Sequence, residues 1–161
     1  IDMSIQQGDR LPEATLHTMR DGRPTAITTS ELFSGKKVVM FAVPGAFTPT
    51  CSEAHLPGYV VQADAIKAKG IDDIICVAVN DAFVMGAWGK AGNADALTMV
   101  GDGNGDFTKA IGLEMDGSGF GLGTRSQRYA MVIEDGVVNT LAVEAGGQLD
   151  VSSAESILKN L

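Results

Sequence analysis

The sequence predicts an α/β protein: a central mixed sheet covered by helices, preceded by a β-hairpin. Three observations carry this. Two continuous apolar, largely β-branched runs, Val38 to Val43 and Ile74 to Val79, read as strands buried on both faces. Helical spacing fills the stretches that follow each of them. Near the end, Tyr129 to Glu134 and Val137 to Val143 are joined across Asp135-Gly136, a dipeptide suited to the positive φ values of a two-residue hairpin turn.

In chain order, residues 14 to 28 alternate loosely around Asp21-Gly22, which predicts the N-terminal hairpin. Thr29 to Gly35 reads as one helical turn closed by glycine, and Lys36-Lys37 lead into the first buried run, which Pro44 ends. From Thr50 to Lys69 the positions Leu56, Tyr59, Val60, Ala63 and Ile66 follow a helical period up to the stop at Gly70, with a kink expected at Pro57. Asn80-Asp81 caps a helix through Phe83, Val84, Ala87 and Trp88, and Leu97 to Val100 is a third strand. Asp106 is expected to cap a short helix ending at Ile111. The last helix is expected to open with the Ser-x-x-Glu capping box of Ser152-Ser153-Ala154-Glu155. No linker or repeat divides the chain, so residues 1–161 are expected to form a single domain.

The composition, 45% hydrophobic and 20% charged over 161 residues, is globular and allows a full core without disulfides or metals. A net charge of −8 disfavours nucleic acid and anionic lipid as partners. The longest apolar runs are about six residues against the ~20 that span a bilayer. Ile1-Asp2-Met3-Ser4 lacks a basic stretch followed by an apolar one, so no signal peptide is read and Met3 is taken as the natural start. Cys51, Cys76, His17 and His55 are too few for a structural zinc site, and two cysteines do not make a disulfide scaffold. A reducing compartment is expected.

Three patterns are set aside. Asp102-Gly103-Asn104-Gly105-Asp106 starts like a calcium loop, but Phe107 stands where the turn glycine belongs and Leu113 where the bidentate Glu belongs. Gly117, Gly119, Gly121 and Gly123 lack the strand-to-helix context of a dinucleotide fingerprint and read as a mobile loop. Cys51 and His55, four apart, suggest a metal pair or a Cys-His hydrolase, but a packing or hydrogen-bonding role for His55 is favoured.

Chemistry concentrates in Pro44-Gly45-Ala46-Phe47-Thr48-Pro49-Thr50-Cys51, between a buried strand and a helix start. Unpaired amides and the positive end of the helix dipole there favour a thiolate. Thr48 is placed to bring its hydroxyl beside the sulfur, and Pro44 and Pro49 stiffen the loop. Cys51 is therefore read as a prepared nucleophile.

The spacing Pro44-x-x-x-Thr48-x-x-Cys51 resembles the active-site motif of the peroxiredoxins. The longer run from Val43 through Tyr59, with Val77 to Asp81, Phe83, Trp88 and Arg125 to Val132, is similar to the peroxiredoxin-5 subfamily, which includes the plant type II enzymes. The resemblance implies a thioredoxin-like fold and reduction of hydrogen peroxide and alkyl hydroperoxides through a Cys51 sulfenic acid. It further implies no cofactor, no metal, and a homodimer. It assigns Cys51 as the peroxidatic cysteine, Thr48 and Pro44 as its motif partners, and Arg128 as the active-site arginine. Thr48, Arg128 and Cys51 would contact the substrate. Arg128 is one of only five arginines and enters an apolar strand, which calls for an anionic partner. Arg125 is a second candidate but is favoured as a solvated loop charge.

Some subfamily members carry a further cysteine before the last helix, where Asp150-Val151-Ser152-Ser153 has none. Cys76 is a possible resolving cysteine by resemblance to some plant-type relatives, yet its place mid-strand favours a buried core role. A one-cysteine cycle is expected, recycled by glutathione with glutaredoxin or by thioredoxin. A cytoplasmic location is expected, with organellar origin after removal of a transit peptide left open. The alternative is a redox-responsive binding or chaperone protein on the same fold. Phe47, Phe83 and Phe120 stay open between an exposed dimer surface and ordinary core.

Overall fold

A computed structural model describes residues 4–161, so the reading of the N-terminal leader and of Met3 lies on or beside residues outside the described ones. The N-terminal hairpin forms as β1 (Thr15–Arg20) and β2 (Arg23–Thr28), with Asp21 and Gly22 at φ of 52° and 75°. A short α1 (Thr29–Phe33) follows, held by a capping box in which Thr28 and Glu31 bond reciprocally. Then come β3 (Lys37–Ala42), a widened turn over Cys51–His55, α2 (Leu56–Lys67), β4 (Asp73–Ala78), α3 (Ala82–Ala91) and β5 (Thr98–Gly101). The C-terminal third holds α4 (Asp106–Ala110), β6 (Glu114–Asp116), β7 (Thr124–Ser126), β8 (Tyr129–Glu134), β9 (Val137–Val143) and α5 (Ala154–Leu158).

Seven strands make one sheet in the order β2-β1-β5-β4-β3-β8-β9. The centre, β5-β4-β3, is parallel, while β8 and β1 add antiparallel on either side. This is the mixed, helix-flanked sheet that the resemblance led one to expect. Both faces of the central strands are covered, which is why β3 and β4 read as continuous apolar runs. On one face Val39, Phe41, Ile74, Cys76, Ala130 and Val132 pack with Leu56, Tyr59, Trp88 and Ile157 of the helices. On the other, Met40, Ile75, Val77 and Met131 pack with Phe33 and Phe107.

Several local expectations are corrected. Pro57 lies in the first turn of α2 rather than inside the helix. The irregularity precedes it: Leu56 N–H donates to the Cys51 carbonyl five residues back, making Cys51–His55 a π-helical turn. Proline at 57 cannot donate to the Glu53 carbonyl, so the ladder has no regular bond to hold that turn tight.

Asp106 does not cap α4. Gly105, at φ 74°, holds that position, and the buried carboxylate of Asp102 accepts from the amides of Phe107 and Thr108. Ser153 rather than Ser152 caps α5, its hydroxyl accepting from the Ser156 amide. The 117–123 segment is the connecting loop, with a 3-10 turn at Ser118–Phe120, of a two-stranded ribbon of β6 and β7 that the sequence reading did not include. Strands of three mostly polar residues leave no periodicity to read.

Candidate active site

Residues alternate across a strand, and along β8 Ala130 and Val132 face α2. Arg128, just before β8, continues that parity and projects onto the same face, where it is only 4% exposed. Opposite it, the π turn directs Cys51 and His55 inward while Ser52, Glu53 and Ala54 face outward. The three meet there. Arg128 Nη2 donates to Cys51 Sγ at 3.2 Å, and Nη1 donates to His55 Nδ1 at 2.8 Å.

This geometry decides the state of His55. A guanidinium has only donors, so Nδ1 must accept and Nε2 carries the proton, donating to the Ser152 carbonyl at 3.0 Å. Burial, reinforced by the Arg128 charge, lowers the His55 pKa to about 4, against partial opposition from Ser152 and Glu144. The imidazole is neutral at pH 7 with both nitrogens engaged, which supports its hydrogen-bonding role over that of hydrolase base or metal ligand. Phe41 closes the pocket from below, stacked on Tyr59 at 3.9 Å and lying 4.9 Å from the His55 ring.

The loop from Pro44 to Thr48 is tied on several sides. Thr48 Oγ donates to the Gly45 carbonyl at 2.7 Å, so toward any ligand its oxygen is left to accept. The Ala46 amide donates to Asn80 Oδ1, fastening the loop to the start of α3, and Trp88 Nε1 donates to Ser52 Oγ beside Cys51. Phe47 sits at φ 65°, an uncommon conformation for a non-glycine residue, which turns its ring outward to 56% exposure.

Arg125 is not the solvated charge expected. Half-buried, it donates from Nη1 to the Pro44 carbonyl and from Nε to the Leu122 carbonyl. It packs so close that a Cβ on Gly45 would lie 2.7 Å from its Nη1, so a side chain there would displace the guanidinium from its carbonyl partners.

Cys76 is fully buried in β4, opposite Phe41 of β3. Burial, with a smaller contribution from Cys51, pushes its thiol pKa well above the ordinary value. The sequence reading gave Tyr59, Asn80 and Ser152 only local roles in helices and caps and did not single out Glu144. Tyr59 looked like one more helix-face position, and Ser152 like a cap. Phe83 and Phe120 are exposed at 59% and 89%. No group of three or more metal-ligating side chains occurs among the described residues, and no helix there is long and apolar enough to cross a membrane.

Comparison with known proteins identifies the relatives of this arrangement. The sequence profile of the Redoxin family matches residues 6–158. The chain is 52% identical over 165 residues to rice (Oryza sativa subsp. japonica) chloroplastic peroxiredoxin-2E-2, covering 98% of this chain and 73% of that protein. It is 48% identical over 160 residues to Arabidopsis thaliana peroxiredoxin-2B, covering 98% of each. Among solved structures, reduced Prx3 from Vibrio vulnificus in complex with H2O2 superposes with a TM-score of 0.94 at 61% identity, over 97% of this chain and 98% of that one. With a cysteine, an arginine and a Pro-x-x-x-Thr-x-x-Cys loop brought together on this fold, the chain belongs to the Redoxin family, among its type II, peroxiredoxin-5-like peroxiredoxins.

Proposed function

We propose that this thiol peroxidase reduces hydrogen peroxide and alkyl hydroperoxides at Cys51, with Arg128 and Thr48 as the residues that bind substrate and Pro44 shaping the loop. The observation that carries the reading is the Arg128 fork. Nη2 lies 3.2 Å from the sulfur, and Nε, on the same edge, is a buried donor with no partner among the described residues. A buried donor costs stability unless something accepts from it, and a peroxide oxygen beside Sγ does so. The Vibrio vulnificus relative, whose structure holds H2O2, supports this choice of substrate.

The thiolate sulfur of Cys51 donates an electron pair to the terminal peroxide oxygen, forming S–O as O–O breaks. The bonding pair leaves on hydroxide or alkoxide, which takes a proton to become water or alcohol. Arg128 stabilises negative charge as it passes from sulfur to the leaving oxygen. Thr48, its own proton held by Gly45, accepts from the peroxide O–H and so orients the substrate rather than stabilising the leaving oxygen by donation. Cys51 is left as a sulfenic acid.

For return to the thiol we favour a one-cysteine cycle. Cys76 is held in a ladder between β3 and β5, and residues 150–153 contain no cysteine. An external thiol attacks the sulfenic acid, glutathione with glutaredoxin ahead of thioredoxin, water leaves, and a second thiol reduces the resulting mixed disulfide to free Cys51. Because Cys51 has no exposed surface, the π turn must open to admit that thiol. Exposed Phe47, Phe83 and Phe120 support a homodimer. The chloroplast names of the 2E relatives support an organellar setting beside the cytoplasmic one.

Intact mass spectrometry after one equivalent of H2O2, on wild type and Cys76→Ser, tests this reading. A gain of one oxygen, trapped at Cys51 and unaffected by the substitution, is expected. A loss of two hydrogens that vanishes in the variant overturns the one-cysteine cycle, and absence of any reaction at Cys51 overturns the peroxidase assignment.

A further inference from the structure

A buried carboxylate is linked to Arg128 through Ser152 and His55. Glu144 follows β9 and is 6% exposed, yet no cation pairs with it among the described salt bridges. Its Oε2 instead accepts from the Asp150 amide at 2.8 Å, the Ser152 amide at 2.9 Å and the Ser152 hydroxyl at 2.6 Å. Burial alone would raise its pKa, but these bonds, together with one from the Val151 amide, outweigh burial and hold the carboxyl below the ordinary range.

Three donors converging on one oxygen fix the Ser152 peptide. Its carbonyl then points at two buried donors, His55 Nε2 at 3.0 Å and Tyr59 Oη at 2.8 Å. The direction of every later bond follows. With Nε2 donating backward, His55 Nδ1 keeps its lone pair for Arg128 Nη1, and the planar fork is thereby turned so that Nη2 faces Cys51 Sγ. Rotating the imidazole or moving the Ser152 carbonyl would strand a buried donor, so the chain has one satisfied arrangement.

We propose that Glu144 is a positioning residue for the peroxide step, acting through Ser152 and His55 to set the orientation of Arg128 over Cys51. The proposal rests on the peroxidase reading above. It makes the 144–153 segment, which lacks a cysteine, the part that aligns the active-site cation. The backbone bond from the Glu144 amide to the Arg128 carbonyl, 3.0 Å, ties the two residues independently of the side chain, so a side-chain substitution leaves it in place.

The test is a double-mutant cycle on Glu144→Gln and His55→Leu. For each protein, stopped-flow Trp88 fluorescence would follow Cys51 oxidation by H2O2, and mass spectrometry would follow Cys51 alkylation by iodoacetamide. Alkylation depends on the guanidinium only through the thiolate it holds, whereas the peroxide step also needs it aligned on the leaving oxygen. Glu144→Gln is expected to lower the peroxide rate constant about tenfold, the size carried by partners that orient a reacting group, with a smaller change in the alkylation rate. Added to His55→Leu, it is expected to have no further effect, because the route through His55 is already cut.

Equal changes in peroxide and alkylation rates, an unchanged peroxide rate, or effects of the two substitutions that multiply would each overturn the proposal. Should His55→Leu fail to fold, the ratio of the two rates in Glu144→Gln decides alone. A wild-type protein inert to peroxide would defeat the underlying reading rather than the positioning role.

Discussion

The two cysteines lie on the same face of the sheet, in one cluster of packed side chains, and neither has exposed surface. Around Cys76 the neighbourhood is strand interior, with Phe41 and Met99 opposite it in the flanking strands and a thiol pushed upward by burial. Around Cys51 it is a strand-to-helix junction, with a guanidinium 3.2 Å away and a π turn that draws His55 to the same side. Burial therefore does not distinguish the two cysteines. The difference is the cation, and the buried polar chain that holds it is what the Cys76 environment lacks.

Removing the fork while keeping the charge attacks that contrast most directly. Arg128→Lys supplies a point charge that cannot bond both His55 and Cys51 in one plane, and a loss of from about a hundredfold to about a thousandfold in the H2O2 rate constant is expected. Stopped-flow fluorescence checks it, and a rate equal to wild type would show that charge alone separates the two cysteines.

The polar chain also gives its side of the sheet a pH dependence. The unfolded chain binds the His55 proton near pH 6.5 and the folded one only near 4. Folding stability from this group is thus complete above pH 6.5 and is lost as pH falls toward 4. A shift of that size corresponds to about 3 kcal/mol. Denaturant melts from pH 7.5 to 4 are expected to show this component in wild type and not in His55→Gln, and parallel curves would remove His55 from the account.

The smallest effect belongs to the strand side. Cys76→Ala deletes one buried sulfur and is expected to cost about 1 kcal/mol of stability in denaturant melts, with the initial peroxide rate unchanged. A slower first oxidation of Cys51 would mean that the two regions are coupled and that the contrast is drawn too sharply.

Much of this was legible in the residues. The alternation around Asp21-Gly22 and Asp135-Gly136 and the apolar runs of β3 and β4 are local patterns, and each became the expected element. The motif loop marked Cys51, and in the structure Arg128 lies 3.2 Å from its sulfur. The π turn was hidden because proline at 57 predicts a missing donor without saying whether the chain kinks or widens. Ser152 was hidden by its neighbour, since two adjacent serines offer the same cap; Ser153 takes it while the Ser152 hydroxyl donates to Glu144. Arg125 gave no signal because a half-buried strut and a solvated charge have the same sequence.

By itself the sequence determined the α/β class, the two hairpins, and a cysteine at a proline-bounded helix start, because φ preference, side-chain period and orphan helix amides are properties of neighbouring residues. The tertiary structure decided what surrounds that cysteine. His55 meets Arg128 across 73 residues and Ser152 across 97, and neither contact exists until β8 lies beside β3 and α5 packs on α2. Hydrogen bonds between buried groups so far apart carry no trace in local composition; they follow from the requirement that each buried donor find an acceptor once the layers close.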